Sequence, residues 1–148
     1  MEKKDHTLKN IIIASLSKLI LFVGRTFHGR HHDYAMLKAE FPSDQPWFET
    51  IKLLVDLGFQ GIQTDYAGQG IQLPYKKPRK SKSRPDAQLT DQQKLENRAL
   101  SKVRILVEHA IGGIKRYGIL VQPFRNRKEN FQDDVIAIAA GLWNFWLL

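Results

Sequence analysis

The chain has 148 residues and no cysteine. That absence excludes a disulfide scaffold and any thiolate-held metal. It also lacks a long apolar run. Ile11–Val23 is broken by Lys18, and Val135–Leu148 is interrupted by Asn144. A spanning helix needs about 20 apolar residues, so neither run predicts one. The first residues, Met1-Glu2-Lys3-Lys4-Asp5-His6, are not followed by a clean apolar core with a small-residue cleavage site, which argues against a signal peptide. No internal repeat and no helix-turn-helix pattern is visible.

Acidic charge is scarce in one region. Lys and Arg number 23 against 15 Asp and Glu, a formal net charge of +8. Residues 1–75 are balanced, residues 76–130 carry net +10, and residues 131–148 carry net −2. One segment therefore holds the whole excess, which points to a polyanionic partner such as nucleic acid. The bland alternative is a solvated surface. With 43% apolar and 26% charged residues, the composition is that of a globular domain.

Local patterns outline an order of elements. Ile11-Ile12-Ile13 within 6–14 and the run 19–23 predict two strands joined by Ser15-Leu16-Ser17-Lys18, with both faces covered. Gly24–His32 reads as a loop. Tyr34, Leu37 and Phe41 predict a helix over 33–41 that Pro42 closes. Ile51–Val55 predicts a third strand, followed by a turn at Gly58 and Gly61. Residues 65–86 read as a loop, and 74–88 as a basic arm. Six of the nine residues from Lys76 to Arg84 are Lys or Arg. Thr90-Asp91-Gln92-Gln93 is a capping box. It opens a helix to about Tyr117 whose apolar stripe is Leu100, Val103, Val107, Ala110 and Ile114. Gly112-Gly113 marks a kink or a close packing point. A last helix is expected from about Gln132, with Asp133 and Asp134 complementing its dipole. The three tryptophans, Trp47, Trp143 and Trp146, are expected in the core. The order predicts a mixed α/β domain with segregated helices.

Chemistry gathers at two places. Asp56 stands where an apolar strand ends, just before Gly58, and strand ends are where sites in α/β sheets lie. A turn residue is the structural alternative. On the long helix Asn97, Ser101, Arg104, Glu108 and Lys115 share a face. A solvated face with an Arg104–Glu108 pair is the alternative there. Asp56 and Glu108 together could hold a divalent ion, since Mg²⁺ takes carboxylate and phosphate oxygens. Two such ions can drive phosphodiester cleavage. Arg104, Lys115 and the arm residues Lys76, Lys77, Arg79, Lys80, Lys82 and Arg84 would then hold DNA phosphates. His28, His31 and His32 with Asp33 invite a zinc reading. Adjacent loop histidines chelate one ion poorly, so His32 and Asp33 are auxiliary candidates that orient the site or touch DNA.

Arg104-x3-Glu108-x6-Lys115 resembles the Y-x2-R-x3-E-x6-K signature of DDE transposases of the insertion-sequence-5 and Harbinger type, with Ser101 at the tyrosine position. Gly29-Arg30-His31-His32-Asp33 is similar to that family's G-x-x-H-D loop. Val55-Asp56-Leu57-Gly58-Phe59-Gln60-Gly61 resembles its D-x-G-[FY]-x-G segment. His6-Thr7-Leu8-Lys9-Asn10, Pro74-Tyr75-Lys76-Lys77-Pro78 and the stretch from Leu89-Thr90 to Asn97-Arg98 also fit in order.

The resemblance implies an RNase H-like mixed sheet with flanking helices. It implies Mg²⁺- or Mn²⁺-dependent cutting and joining of DNA ends. Asp56 becomes the second acid of a triad and Glu108 the third. The first acid belongs to a strand upstream of His6, where only Glu2 and Asp5 stand, and neither is assigned. The expectation is a partial catalytic domain without its first strand, inactive alone. It would be either the second frame of a split gene or a remnant, acting in the cytoplasm on nucleoid DNA. Its partners would be transposon ends and target, with an upstream-frame polypeptide or a homodimer considered. Alternatives are a non-catalytic, transposase-derived DNA-binding regulator and an unrelated RNA-associated protein.

Overall fold

A computed structural model describes residues 7–148. The considered acids Glu2 and Asp5 lie outside the described residues. The elements are β1 (Leu8–Lys9), β2 (Ile12–Ala14), β3 (Ile20–Val23), β4 (Phe27–His28), α1 (Asp33–Glu40), β5 (Leu53–Leu54), α2 (Ile62–Asp65), β6 (Ile71–Gln72), α3 (Asp91–Lys115) and α4 (Phe131–Leu147). They divide into two compact units. One comprises residues up to Glu40 with Arg104–Leu148, the other Phe41–Val103. The class is mixed α/β, as expected. Among the described residues, however, the strands form three two-stranded ladders and not one sheet. No helix there is long and apolar enough to cross a membrane.

In the first unit β2 and β3 pair antiparallel, with Ile13 opposite Phe22 and Ala14 opposite Ile20. Leu21 is left over as a bulge and is 66% exposed. The expectation of two covered faces is thus corrected: Ile20 is buried, and its neighbour Leu21 faces water. The supposed loop at 24–32 contains β4, which pairs with β1. The Ser15–Lys18 turn is held by Lys18 N donating to Ser15 O at 3.0 Å and by Ser15 N donating to Leu19 O at 2.8 Å. Lys18 sits at φ 69°, an uncommon conformation for a residue with a side chain. Its carbonyl accepts the indole N–H of Trp143 at 2.9 Å.

The core of this unit joins Ile20 to Ala110 and Ile114 of α3 and to Ile136, Ala139, Ala140 and Trp143 of α4. The Gly112-Gly113 pair resolves as close packing. Helix α3 runs through both glycines, and a Cβ on Gly113 would overlap the Trp143 ring. Asn144, in sequence only an interruption, donates to Ile20 O and accepts from Ile20 N, both at 2.8 Å. Asp133 accepts from Thr26 N at 2.7 Å, so it ties a strand end to α4 as well as standing in the helix's first turn. Trp146 is 65% exposed and Trp47 46%, so of the three tryptophans placed in the core only Trp143 is there. A 17-residue helix with one packed side leaves its far aromatic residues in water.

In the second unit β5 pairs parallel with β6, Leu53 opposite Ile71 and Leu54 opposite Gln72. β6 lies inside the stretch expected to be loop. Leu53, Ile62 and Ile71 are buried with Phe48 and Tyr66. The Phe48 ring packs 5.3 Å from Phe41 and 5.5 Å from Tyr66, and the Tyr66 hydroxyl donates to Phe41 O. Burial raises the Tyr66 pKa, and the neighbouring Asp65 charge adds to it. Gly61, at φ 94°, makes the reversal that starts α2, as the turn reading required.

Candidate nucleic-acid and catalytic site

Asp56 follows β5 directly. Val55 N donates to Gln72 O at 3.0 Å, so the ladder extends to the residue before it. Asp56 then turns the chain into a 3₁₀ turn, Leu57–Phe59, and its carbonyl accepts from Phe59 N at 3.0 Å. The carboxylate is on the exposed surface at the carboxyl end of a parallel strand, the position the spacing predicted.

The capping box that starts α3 is formed. Thr90 N donates to the Gln93 side chain at 3.0 Å, and Gln93 N donates to Thr90 Oγ1 at 3.2 Å. The helix keeps its stripe, with Leu100, Val103 and Val107 half-buried and Ala110 and Ile114 buried. Its other side carries Ser101, Arg104, Glu108 and Lys115, all exposed. Arg104 Nε lies 3.0 Å from Glu108, with 58% and 56% of the two side chains exposed. Such an i,i+4 pair contributes about 0.3–0.5 kcal/mol and holds Glu108 loosely.

Asn97 does something sequence reading missed. Its amide donates to Tyr75 O at 2.9 Å and its oxygen accepts from Tyr75 N at 2.8 Å. This two-point clamp fixes the root of the basic arm on α3. The Tyr75 hydroxyl donates to Glu96, which raises the phenol's pKa. Glu96 in turn is held below the usual carboxylate range, first by Gln92 and then by Tyr75. The only advance signal was the Pro74-Tyr75 and Asn97 pair of motif fragments. Beyond the clamp, Lys76, Lys77, Arg79, Lys80, Lys82 and Arg84 are all exposed. Ser81 and Arg84 close a tight turn, Arg84 N donating to Ser81 O at 3.0 Å. Six exposed cations within one short segment form a strong anion-attracting feature.

Of the auxiliary residues, Asp33 is paired with Lys9 at 3.1 Å, and the same ammonium donates to His31 O at 3.2 Å. His32 is exposed. Among the described residues no three His, Asp or Glu side chains come together as a group that could hold a metal ion. Asp56 belongs to the second unit and Glu108 to the first. Both offer the hard oxygen donors that Mg²⁺ prefers.

The sequence as a whole matches the DDE superfamily endonuclease profile over residues 1–144. The chain belongs to the DDE superfamily endonucleases. It is also 33% identical, over 146 residues, to a probable transposase for insertion sequence element IS702 from Microchaete diplosiphon. That alignment covers 97% of this chain and 48% of the relative, so the chain spans about half the relative's length. No solved structure gives a significant match.

Proposed function

We propose that the chain is the C-terminal catalytic portion of an insertion-sequence-5/Harbinger-type DDE transposase, acting on transposon ends and target DNA. The observation that carries this reading is the pair of acid positions. Asp56 ends a parallel strand, and Glu108 stands on one helix between Arg104 and Lys115. Superfamily membership supports it. On this reading the fold is RNase H-like, and the first strand with its acid comes from sequence outside this chain. Asp56 and Glu108 would supply two of three carboxylates to Mg²⁺ or Mn²⁺. The metal would supply Lewis-acid activation of the phosphodiester. Arg104, Lys115 and the 76–84 arm would hold DNA phosphates, and His32 with Asp33 would orient the site or touch DNA. The protein would act in the cytoplasm on nucleoid DNA.

The test separates binding from chemistry. The purified chain binds duplex DNA, and its affinity falls steeply with salt, about 0.9 log units per log unit of salt for each phosphate contacted. Replacing the six arm cations by Gln weakens binding at least tenfold and flattens that slope. Nicking in Mg²⁺ or Mn²⁺ appears only when an upstream segment carrying the first acid is co-expressed, and Asp56→Asn or Glu108→Gln abolishes it. Nicking that survives either substitution would overturn the assignment. A second reading, a non-catalytic DNA-binding regulator, draws on the exposed basic run 76–84, which needs neither acid to bind DNA. It expects DNA binding that Glu108→Ala leaves intact and no nicking with any added segment.

A further inference from the structure

Helix α4 is apolar on two sides, and only one of them is packed. Val135, Ile136, Ala139, Ala140 and Trp143 are buried. On the other side Ile138 is 63% exposed, Leu142 47%, Phe145 80% and Trp146 65%. From Val135 to Leu148 the chain has no charged residue. The open side of a surface helix ordinarily carries charged and polar groups. A contiguous exposed apolar face marks an interaction site.

Spacing, a glycine and charge together point to one occupant. Asp134, Ile138, Gly141, Phe145 and Leu148 follow one another by four, three, four and three, as in the seam of paired helices. Glycine weakens a helix interior relative to alanine. Gly113 has its reason inside the chain, since a Cβ there would overlap the Trp143 ring. A Cβ on Gly141 would meet no described atom within 4 Å. Backbone this bare lets another helix approach closely. Asp134 opens the stripe, exposed and with no ion pair among the described residues. At the stripe's other end the Arg116 guanidinium lies over the Trp146 ring, 5.7 Å from its centroid.

Gly141 is midway between Asp134 and Leu148. An antiparallel pair of α4 helices crossing at Gly141 sets Asp134 of each copy at the Arg116 end of the other, and Phe145 of each opposite Ala137. Large meets small, acid meets base, and the helix dipoles oppose one another. Each contact occurs twice, as an isologous interface requires. A helix that lies in a lipid surface carries Lys or Arg along its polar face, and α4 has neither. We propose that the open face of α4 docks a second copy of this chain, the two α4 helices packing antiparallel and crossing at Gly141. The surface lies wholly in the first unit and uses none of the residues that the DNA reading assigns.

The experiment is sedimentation velocity of the full chain without DNA, so its outcome is independent of the DNA reading. The chain dimerises as its concentration rises through the micromolar range, as suits a small interface. A monomer throughout refutes the proposal. Asp134→Arg and Arg116→Asp each weaken the dimer about tenfold, because symmetry counts each like-charge contact twice. An equal mixture of the two variants restores it, since each arginine then faces an aspartate at both contacts. No recovery in the mixture refutes the antiparallel register. Gly141→Leu abolishes the dimer while the fold holds, because leucine is the better helix former and only the crossing is blocked. A dimer strengthened by that leucine means a non-specific sticky face and also refutes it. Far-UV circular dichroism checks the fold of each variant. If the charge variants do not fold, Gly141→Cys gives the answer on a chain that keeps both charges. The chain has no cysteine, so a disulfide-linked dimer under mild oxidation reports on position 141 alone. Lys102→Cys, at an exposed position of α3, is the control. Equal linking at both positions, or none at 141, overturns the proposal. So does binding to phosphatidylcholine vesicles by a chain that stays monomeric.

Discussion

The unit built from both ends of the chain and the unit in its middle are held together differently. In the first, one cluster links Ile20 on a strand to α3 and α4, and two residues of α4 reach back more than 120 positions in sequence to bind backbone atoms of Lys18 and Ile20. In the second, an aromatic cluster of Phe41, Phe48 and Tyr66 closes over two short parallel strands, and nearly half of the segment is arm and turn. Glu108 stands on the long, well-packed helix. Asp56 stands on a turn after a two-residue strand. Catalytic loops placed on a rigid frame are a common arrangement, because a loop can approach substrate while the frame keeps its position. Here the frame is dense in one unit and sparse in the other.

This contrast can be broken or sharpened by measurement. Trp143→Ala has the largest expected effect. It empties a nearly buried site against Gly113 and removes the bond to Lys18 O, at a cost of about 3–5 kcal/mol in denaturant unfolding. Hydrogen exchange quickens most in 11–23 and 107–144. Equal quickening in 44–72 would erase the distinction between the units. Asn144→Ala comes next. It leaves the N–H and C=O of Ile20 without their partner and costs about 1–3 kcal/mol. Thr90→Ala removes a formed cap at the start of α3 and costs about 1 kcal/mol, with exchange raised only over the first turn.

The smallest effect is a titration. Glu96 ionises below the usual carboxylate range because Gln92 and Tyr75 donate to it. Its depressed folded pKa stabilises the fold above the unfolded value and loses that contribution as pH falls through the folded value. Gln92→Ala or Tyr75→Phe moves the Glu96 titration upward, as read by carboxyl NMR. No movement in either variant would mean that Gln92 and Tyr75 do not hold Glu96 as described.

Much of the candidate site was legible in advance. Asp56 at a strand end, the capping box at Thr90, the apolar stripe of α3 and the Arg104–Glu108 pair all depend on neighbours within four residues or so. β4 and β6 were read as loop because each has only two paired residues, too few for an alternation to show. Trp146 was misplaced because composition marks its helix as apolar but does not say how many sides are covered. The Asn97–Tyr75 clamp spans 22 positions and leaves no local pattern.

The excess positive charge in 76–130, the two acids, the helices and membership of the superfamily are properties of residue order, and sequence alone determined them. Tertiary structure decided which strands pair, which tryptophan is buried, why Gly113 has no side chain and that Asn97 clamps Tyr75. Helix periodicity and caps are set by hydrogen bonds between near neighbours. Strand pairing and core packing join residues far apart in the chain, and only the folded arrangement selects among the many partners that apolar side chains could take.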